Sequence, residues 1–129
     1  MLTVQSLLDE LGLDLAVGAS AAESPVRWVH ISELEDPTPW LSGGELMLTT
    51  GIPLGSAAKQ RAFVDLLADH NLAGLGVGIG FTHDKMPKAL VEQALDGEHA
   101  APIAVFGARP RRARRAARRG SPRIARSPL

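Results

Sequence analysis

The chain has no cysteine and no long apolar run in its 129 residues. Without thiols there can be no disulfide, thiolate zinc site or cysteine nucleophile, and a reducing compartment is the natural expectation. The longest apolar stretch, residues 72–81, is interrupted by glycines and is far shorter than the ~20 residues of a membrane helix. The first residues carry acidic side chains where a secretory leader needs an apolar core. We therefore expect a cytoplasmic protein with no membrane contact.

Acidic side chains are missing from residues 107–129, a segment that holds nine arginines. Residues 1–106 hold all 14 acidic side chains and only five basic ones, so the formal net charge of zero averages a body of −9 and a tail of +9. Such an abrupt change is the strongest boundary signal in the chain. It predicts one domain over residues 2–106 and a tail over 107–129. The tail should be disordered because it cannot bury enough apolar surface.

Apolar periodicity predicts three helices and five strands in the body. Thr3 is placed to cap a helix that ends before Gly12, and Ser56 is placed to cap a second helix that runs to about His70. A third helix should open at residues 84–87. The predicted strands cover residues 13–17, 26–31, 45–50, 74–81 and 102–106. Strands that alternate with helices indicate an α/β domain, a small layered structure with a mainly parallel sheet and flanking helices.

Three segments carry more detailed expectations. Residues 26–31 have apolar side chains on both faces, so this strand should be largely buried. Residues 33–41 contain two prolines and should form a structured loop with at most one helical turn. Residues 74–81 alternate glycine with large apolar residues up to Phe81, so something must approach the glycine face closely. Either neighbouring elements pack there, or a ligand lies against the bare backbone.

Several chemical motifs are absent from the sequence. The glycine run lacks the third glycine of Gly-x-Gly-x-x-Gly, and no phosphate-binding Gly-Lys-Ser/Thr loop occurs. The four histidines are scattered singly, without the spacing of a zinc site. No serine, base or carboxylate pair is arranged recognisably for hydrolysis. We therefore expect no metal, no cofactor and no enzymatic activity.

Polar residues follow two of the predicted strands where ligands bind in parallel α/β folds. Thr49, Thr50 and Gly51 end one strand, and Thr82 and His83 lie between the glycine strand and the next helix, where backbone N–H groups and the helix dipole could hold an anion. Ordinary strand termination and helix capping are the alternative interpretations. Gly78 and Gly80, from the end of the glycine strand, join these residues as candidates for ligand binding.

Long stretches of the body resemble a known family. Residues 28–34 (WVHISEL), 36–41 (DPTPWL) and 43–51 (GGELMLTTG) resemble the N-terminal domain of PucR-type purine catabolism regulators. Residues 2–8, 73–78 and 82–90 fit the same pattern, so the resemblance covers about residues 2–106. Glu33, Trp40 and Glu45 lie in the resembling stretches and complete the set of ligand-binding candidates. In isolation, the acidic cluster around Glu33 would be a solvated loop.

The resemblance implies a regulatory module in transcription control that senses a small molecule. Its effector would be a purine-pathway or other nitrogen metabolite, and pairing of identical chains stays open. In that family DNA binding belongs to a helix-turn-helix near the C-terminus of a longer chain. This chain alone is therefore expected to show no specific DNA binding.

The resemblance stops near residue 106, where the arginine-rich tail begins. We hypothesise a truncated or frameshifted gene, because Arg, Ala, Pro, Gly and Ser in this proportion are typical of GC-rich DNA read out of frame. A basic arm that binds nucleic acid without sequence specificity is one alternative. A small enzyme or enzyme subunit, in which Glu33, Glu45 or His83 would matter for turnover, is the other.

Overall fold

The computed structural model describes residues 2–98 and 100–109 of the chain. This part contains three helices, five strands and two short 3-10 turns, at Ala19–Ala21 and Thr38–Trp40. The helices and strands, in chain order, are α1 (Val4–Leu11), β1 (Leu15–Val17), β2 (Trp28–Ile31), β3 (Glu45–Thr49), α2 (Ala57–Asp69), β4 (Gly74–Gly78), α3 (Lys88–Asp96) and β5 (Ala104–Ala108). The single turn at 38–40 confirms the structured loop predicted there.

The five strands form one sheet in the order β1-β5-β4-β3-β2. β2, β3, β4 and β5 run parallel to one another, and the short β1 pairs antiparallel with β5. This architecture confirms the predicted α/β class with a mainly parallel sheet. Over residues 2–98 and 100–109, no helix is long and apolar enough to cross a membrane.

Helix α1 forms as its capping residues predict. The Thr3 hydroxyl accepts a hydrogen bond from the Ser6 amide at 3.1 Å, and the Ser6 hydroxyl accepts one from the Thr3 amide at 2.9 Å. This reciprocal pair satisfies two amides that the first turn leaves without helical partners. The helix ends at Gly12, which adopts the left-handed conformation with φ of 69°.

Apolar side chains pack on both faces of the sheet. On one face, Met47 and Leu75 from the strands pack with Leu67 and Leu90 from α2 and α3. On the other face, α1 contributes Leu8 to a second cluster of buried residues. Successive side chains of a strand point to opposite faces, so β3, β4 and β5 are buried on both sides. The domain therefore has three layers, with one helix below the sheet and two above it.

The glycine face of β4 accommodates neighbouring side chains. A Cβ atom at Gly76 would lie 2.6 Å from the Phe106 ring, and one at Gly74 would lie 3.2 to 3.3 Å from atoms of Leu46 and Val4. Close packing therefore explains these two glycines. The strand itself stops at Gly78, and the prediction that it continues to Phe81 is wrong. The left-handed Gly80 (φ 99°) turns the chain there.

Strand β2 departs most from its prediction. It was expected to be largely buried, yet Trp28, Val29 and Ile31 are 68%, 46% and 72% exposed. The physical reason is its position: β2 is the last strand of the sheet, and only β3 pairs with it in the described part of the chain. Apolar side chains on both faces indicate a strand, but they do not reveal whether other layers cover it.

Smaller differences concern the ends of elements. Leu95, on the third helix, is 55% exposed although it is a large apolar residue. That helix begins at Lys88, with Pro87 before its first turn. The last strand extends to Ala108 and so includes Gly107, where a Cβ atom would lie 2.8 Å from the Met86 sulfur. The basic tail was predicted to be disordered over residues 107–129, but Gly107 and Ala108 belong to β5 because they pair with β4. Residues 110–129 lie outside the described residues.

Candidate functional site

Glu33 connects the carboxyl ends of β2 and β3. One of its carboxylate oxygens accepts a hydrogen bond from the Thr49 hydroxyl at 2.8 Å, and the other accepts one from the Thr50 amide at 2.8 Å. Thr49 is only 4% exposed. Hydrogen bonds to a carboxylate are stronger than neutral ones. Glu33 thus holds the loop after β2 against the end of β3, a contact between residues that are sixteen positions apart.

Gly51 and His83 extend this arrangement toward β4. The Gly51 amide donates to the Thr49 hydroxyl oxygen at 3.1 Å, and His83 Nε2 lies 3.1 Å from the Gly51 carbonyl oxygen. Because a carbonyl only accepts, Nε2 must carry a proton in this contact. Gly51 has a φ of 98°, and a Cβ atom there would lie 2.5 Å from the His83 ring. Glu33, Thr49, Thr50, Gly51 and His83 form what we call the carboxyl-edge cluster.

A shallow groove of about 230 Å³ lies beside this cluster. We call it the carboxyl-edge groove. It is lined by Ile31, Leu48, Thr49, Thr50, Gly76, Val77, Gly78, Phe81, Ala108 and Arg109. Most of the lining is apolar, and the Phe81 ring lies within 2.8 Å of the position that a Cβ at Gly78 would take. A small flat molecule could therefore rest against the exposed Phe81 ring, with the Thr50 side chain at one side.

Trp40 and Glu45 lie in a different place. With Arg27, Trp28, Ser42 and Gly43 they line a cleft of about 270 Å³, which we call the tryptophan cleft. Glu45 opens β3 and pairs with Trp28, which opens β2, so the cleft lies at the amino end of these strands. The structure therefore places six of the ten predicted residues at the carboxyl end of the sheet and two, Trp40 and Glu45, at the amino end, while Gly80 and Thr82 belong to neither site.

Glu45 has a structural contact within the tryptophan cleft. Its carboxylate accepts hydrogen bonds from the Ser42 and Gly43 amides, both at 2.7 Å, while the residue is 4% exposed. Burial acts to raise the pKa of Glu45, but these hydrogen bonds outweigh it and hold the pKa below its ordinary value. The ionised carboxylate thus fixes the turn that leads into β3.

Thr82 and Gly80 do not form the anion site that was predicted at the start of the third helix. Helix α3 begins only at Lys88, so its amino end does not lie next to Thr82, whose side chain is exposed. The Gly80 amide donates to the His83 carbonyl oxygen at 2.8 Å, which closes a tight turn. His83 is the residue of this segment that reaches the carboxyl-edge cluster, through its contact with the Gly51 carbonyl.

A larger cavity of about 500 Å³ lies beside β1 and was not predicted. Its lining residues are Gly12, Leu13, Asp14, Leu15, Ala16, Ile79, Lys85, Met86, Gly107 and Arg109. β1, which contributes Leu15 and Ala16 to the lining, pairs antiparallel with β5, and sequence periodicity does not reveal such a pairing between distant segments. Lys85 and Arg109 bring positive charge to it, and Asp14 brings a negative charge. No group of three or more metal-binding side chains occurs in the part of the chain that the structure describes.

Comparison with known proteins gives a consistent result. The sequence profile of the purine catabolism regulatory protein-like family, PucR, matches residues 3–106. The transcriptional activator PmfR of Paenarthrobacter nicotinovorans is 35% identical over 100 residues, which cover 73% of this chain and 21% of that protein. The chain thus matches about a fifth of the length of this curated relative.

Proposed function

The chain belongs to the PucR family of regulators, and on that premise we propose that its α/β domain senses a small-molecule effector at the carboxyl end of the sheet. The observation that carries this proposal is the carboxyl-edge groove next to a cluster of hydrogen-bonded side chains. In open α/β sheets the carboxyl ends of parallel strands are the usual place for ligands.

The groove favours a particular kind of effector. Its volume of about 230 Å³ lies below the ~300 Å³ at which drug-sized pockets begin, so the ligand should be small. The exposed Phe81 ring on the groove wall suits a flat molecule, and the hydroxyl group of Thr50 could orient its polar edge. Purine breakdown products and related nitrogen metabolites meet this description.

A thermal-shift screen of the chain against such metabolites tests the proposal. A ligand at 100 times its Kd should stabilise the domain by ~2.7 kcal/mol, which corresponds to roughly 10–20 °C in Tm for a domain of this size. A screen in which no purine breakdown product or nitrogen metabolite raises Tm would contradict the proposal.

Two variants locate the site. Thr50→Val removes one hydroxyl but keeps the amide that Glu33 holds, and Phe81→Ala removes an exposed ring from the groove wall. Both should weaken a ligand that binds in the groove by about tenfold or more. Trp40→Ala, at the tryptophan cleft, is the matched control and should leave the affinity unchanged. Loss of binding in Trp40→Ala alone would move the site to the other end of the sheet.

We also propose that the DNA-binding part of the regulator lies outside this chain. The matched relative is named a transcriptional activator, and four fifths of its length lie beyond the region of similarity. Membership of a regulator family supports a role in binding and not in catalysis, and a cytoplasmic location follows from that role. Specific retardation of one DNA sequence by this chain alone would overturn the first of these statements.

Non-specific nucleic-acid binding is the second candidate function. The nine arginines of residues 107–129 have no acidic neighbours in that segment, so they could neutralise phosphates. Binding of this kind should weaken steeply as salt rises and should disappear when residues 107–129 are deleted. Deletion of the same segment should leave effector binding intact, which separates the two functions.

A further inference from the structure

We propose that two copies of this chain associate through β2, with the two β2 strands antiparallel, so that both sheets join into one. The proposal rests on the unpaired outer edge of β2, on its self-complementary sequence and on the large apolar side chains that surround it.

The outer edge of β2 offers free backbone groups. The Ser32 amide donates to the Leu48 carbonyl oxygen at 3.1 Å, so the backbone N–H of Ser32 points toward β3. In a parallel pair, the backbone N–H and C=O groups of every second residue face the same neighbouring strand. The backbone groups of His30 therefore also face β3. The amides and carbonyls of Val29 and Ile31 consequently point outward, where no other strand pairs with β2 among residues 2–98 and 100–109.

The edge of β2 also lacks the usual protection against pairing. Exposed edge strands normally carry lysine, proline or a bulge, and they are often very short. The four residues of β2 are Trp-Val-His-Ile, with no proline and no formal charge. The opposite edge of the sheet is β1, which has only three residues. Of the two edges, β2 is therefore the one suited to strand addition.

One antiparallel register uses every free group of β2. When His30 lies opposite the partner subunit's His30, Val29 faces the partner's Ile31 on both sides of the twofold axis. Because the backbone N–H and C=O groups of Val29 and Ile31 point outward, each of these two pairs can exchange two backbone hydrogen bonds. The apolar side chains also meet on one face, a cross-strand contact that stabilises sheets.

The charges beside β2 favour this antiparallel arrangement. Arg27 precedes the strand, whereas Glu33, Glu35 and Asp36 follow it. In the register centred on His30, position 27 of one copy lies opposite position 33 of the other. The basic end of each strand thus lies near the acidic end of its neighbour, while a parallel arrangement would place like charges together.

The exposed aromatic side chains provide further contact area. Trp28 and Trp40 are 68% and 70% exposed and line the same cleft at one end of β2. Two such side chains offer roughly 300 Å², and a standard interface buries ~800 Å² on each partner. Val29, Ile31 and the half-exposed Leu34 add to this area on the same edge. Tryptophan is among the residues that contribute most to protein interfaces.

Sedimentation velocity of the full chain over a range of concentrations is the first test, and it should show a dimer. Ile31→Lys places a charge on the proposed contact and should raise the dimer Kd by about tenfold or more. Leu95→Lys makes the same change at a similarly exposed position on α3 and should leave Kd unchanged. The proposal would be overturned if the chain stayed monomeric at about 100 μM. It would also be overturned if the two variants changed the dimer Kd equally.

Single-cysteine variants test the register directly, because the natural chain has no cysteine that could interfere. A cysteine in His30→Cys would face its own copy, since residues directly opposite have Cβ atoms about 4.5–5.5 Å apart. Mild oxidation should therefore join His30→Cys chains at least about tenfold faster than Ile31→Cys chains. A mixture of Val29→Cys and Ile31→Cys should form the mixed disulfide.

Equal rates of disulfide formation in His30→Cys and Ile31→Cys would exclude this register. Urea denaturation midpoints equal to that of the natural chain would show that the cysteine variants are folded.

Discussion

The two ends of the β2–β3 pair use their side chains in different ways. At the carboxyl end, Glu33 bonds to the hydroxyl of Thr49 and the amide of Thr50, so the polar groups satisfy one another. At the amino end, Glu45 is bonded in the same manner, but Trp28 and Trp40 beside it are largely exposed. The carboxyl end is thus a closed polar cluster beside a small groove, whereas the amino end presents aromatic surface. This difference is why we place the effector at the first, whereas the proposed contact between copies runs along β2 and gains aromatic surface from the second.

The largest effect should come from Gly51→Ala in the carboxyl-edge cluster. An added Cβ would combine a left-handed backbone with a contact of 2.5 Å to the His83 ring, and should cost about 3 kcal/mol of unfolding free energy. Gly55→Ala is the control, because a Cβ there meets nothing within 4 Å. Urea denaturation measures both variants. Equal stabilities would mean that the His83 contact does not constrain this end of the sheet.

Glu33→Gln should destabilise the domain by about 1–2 kcal/mol, because an amide group cannot accept both hydrogen bonds of the carboxylate. Glu35→Gln is the control. Glu35 forms an exposed ion pair with Lys59, so this substitution should have little effect on the free energy of unfolding. Chemical denaturation at pH 7 compares the two. A larger loss of stability in Glu35→Gln than in Glu33→Gln would show that the carboxyl-edge cluster does not stabilise the fold more than the exposed loop around it.

Glu45→Gln should cost about 1 kcal/mol at pH 7, and the cost should depend on pH. The pKa of Glu45 is lowered in the folded state, so its ionised form stabilises the fold above the ordinary pKa of 4.5. That stabilisation is lost as pH falls through the lower folded pKa. The stability difference between wild type and Glu45→Gln should therefore shrink in denaturation curves measured below about pH 4. A difference that grows in acid would have the wrong sign for this carboxylate.

Trp40→Ala should have the smallest effect on unfolding, within about 0.5 kcal/mol, because surface side chains contribute little to stability. The same variant should weaken self-association, since the exposed ring adjoins the edge of β2. Thermal denaturation and sedimentation of one sample separate the two quantities. A large loss of stability would show that the ring supports the fold and is not available to a partner.

Local signals were enough to predict most elements of the fold. Thr3 and Gly12 bracket α1 as expected, because capping depends on residues within one helical turn. The alternation in residues 74–78 correctly indicated a strand, and the glycine face proved to receive the Phe106 ring. The meeting of Thr49–Gly51 with His83 was also predictable, since the ends of adjacent parallel strands share one edge of a sheet.

The errors concern features that depend on distant parts of the chain. The pattern of β2 could not reveal that it is an edge strand, because exposure depends on which elements cover it. Trp40 and Glu45 were grouped with the carboxyl-edge residues, although the direction of β2 and β3 places them at the other end. The side cavity was missed for the same kind of reason, since β1 and β5 are about 90 residues apart in sequence.

The sequence by itself determined the class of fold, the amino-terminal caps of α1 and α2 and the family to which the chain belongs. These features depend on short-range periodicity, on capping chemistry and on the order of residues along the chain. The tertiary structure alone decided which strand lies at the edge, which face of β4 receives a side chain and which polar residues meet. The physical reason is that burial and long-range hydrogen bonds such as that between Glu33 and Thr49 arise only when separate segments pack together.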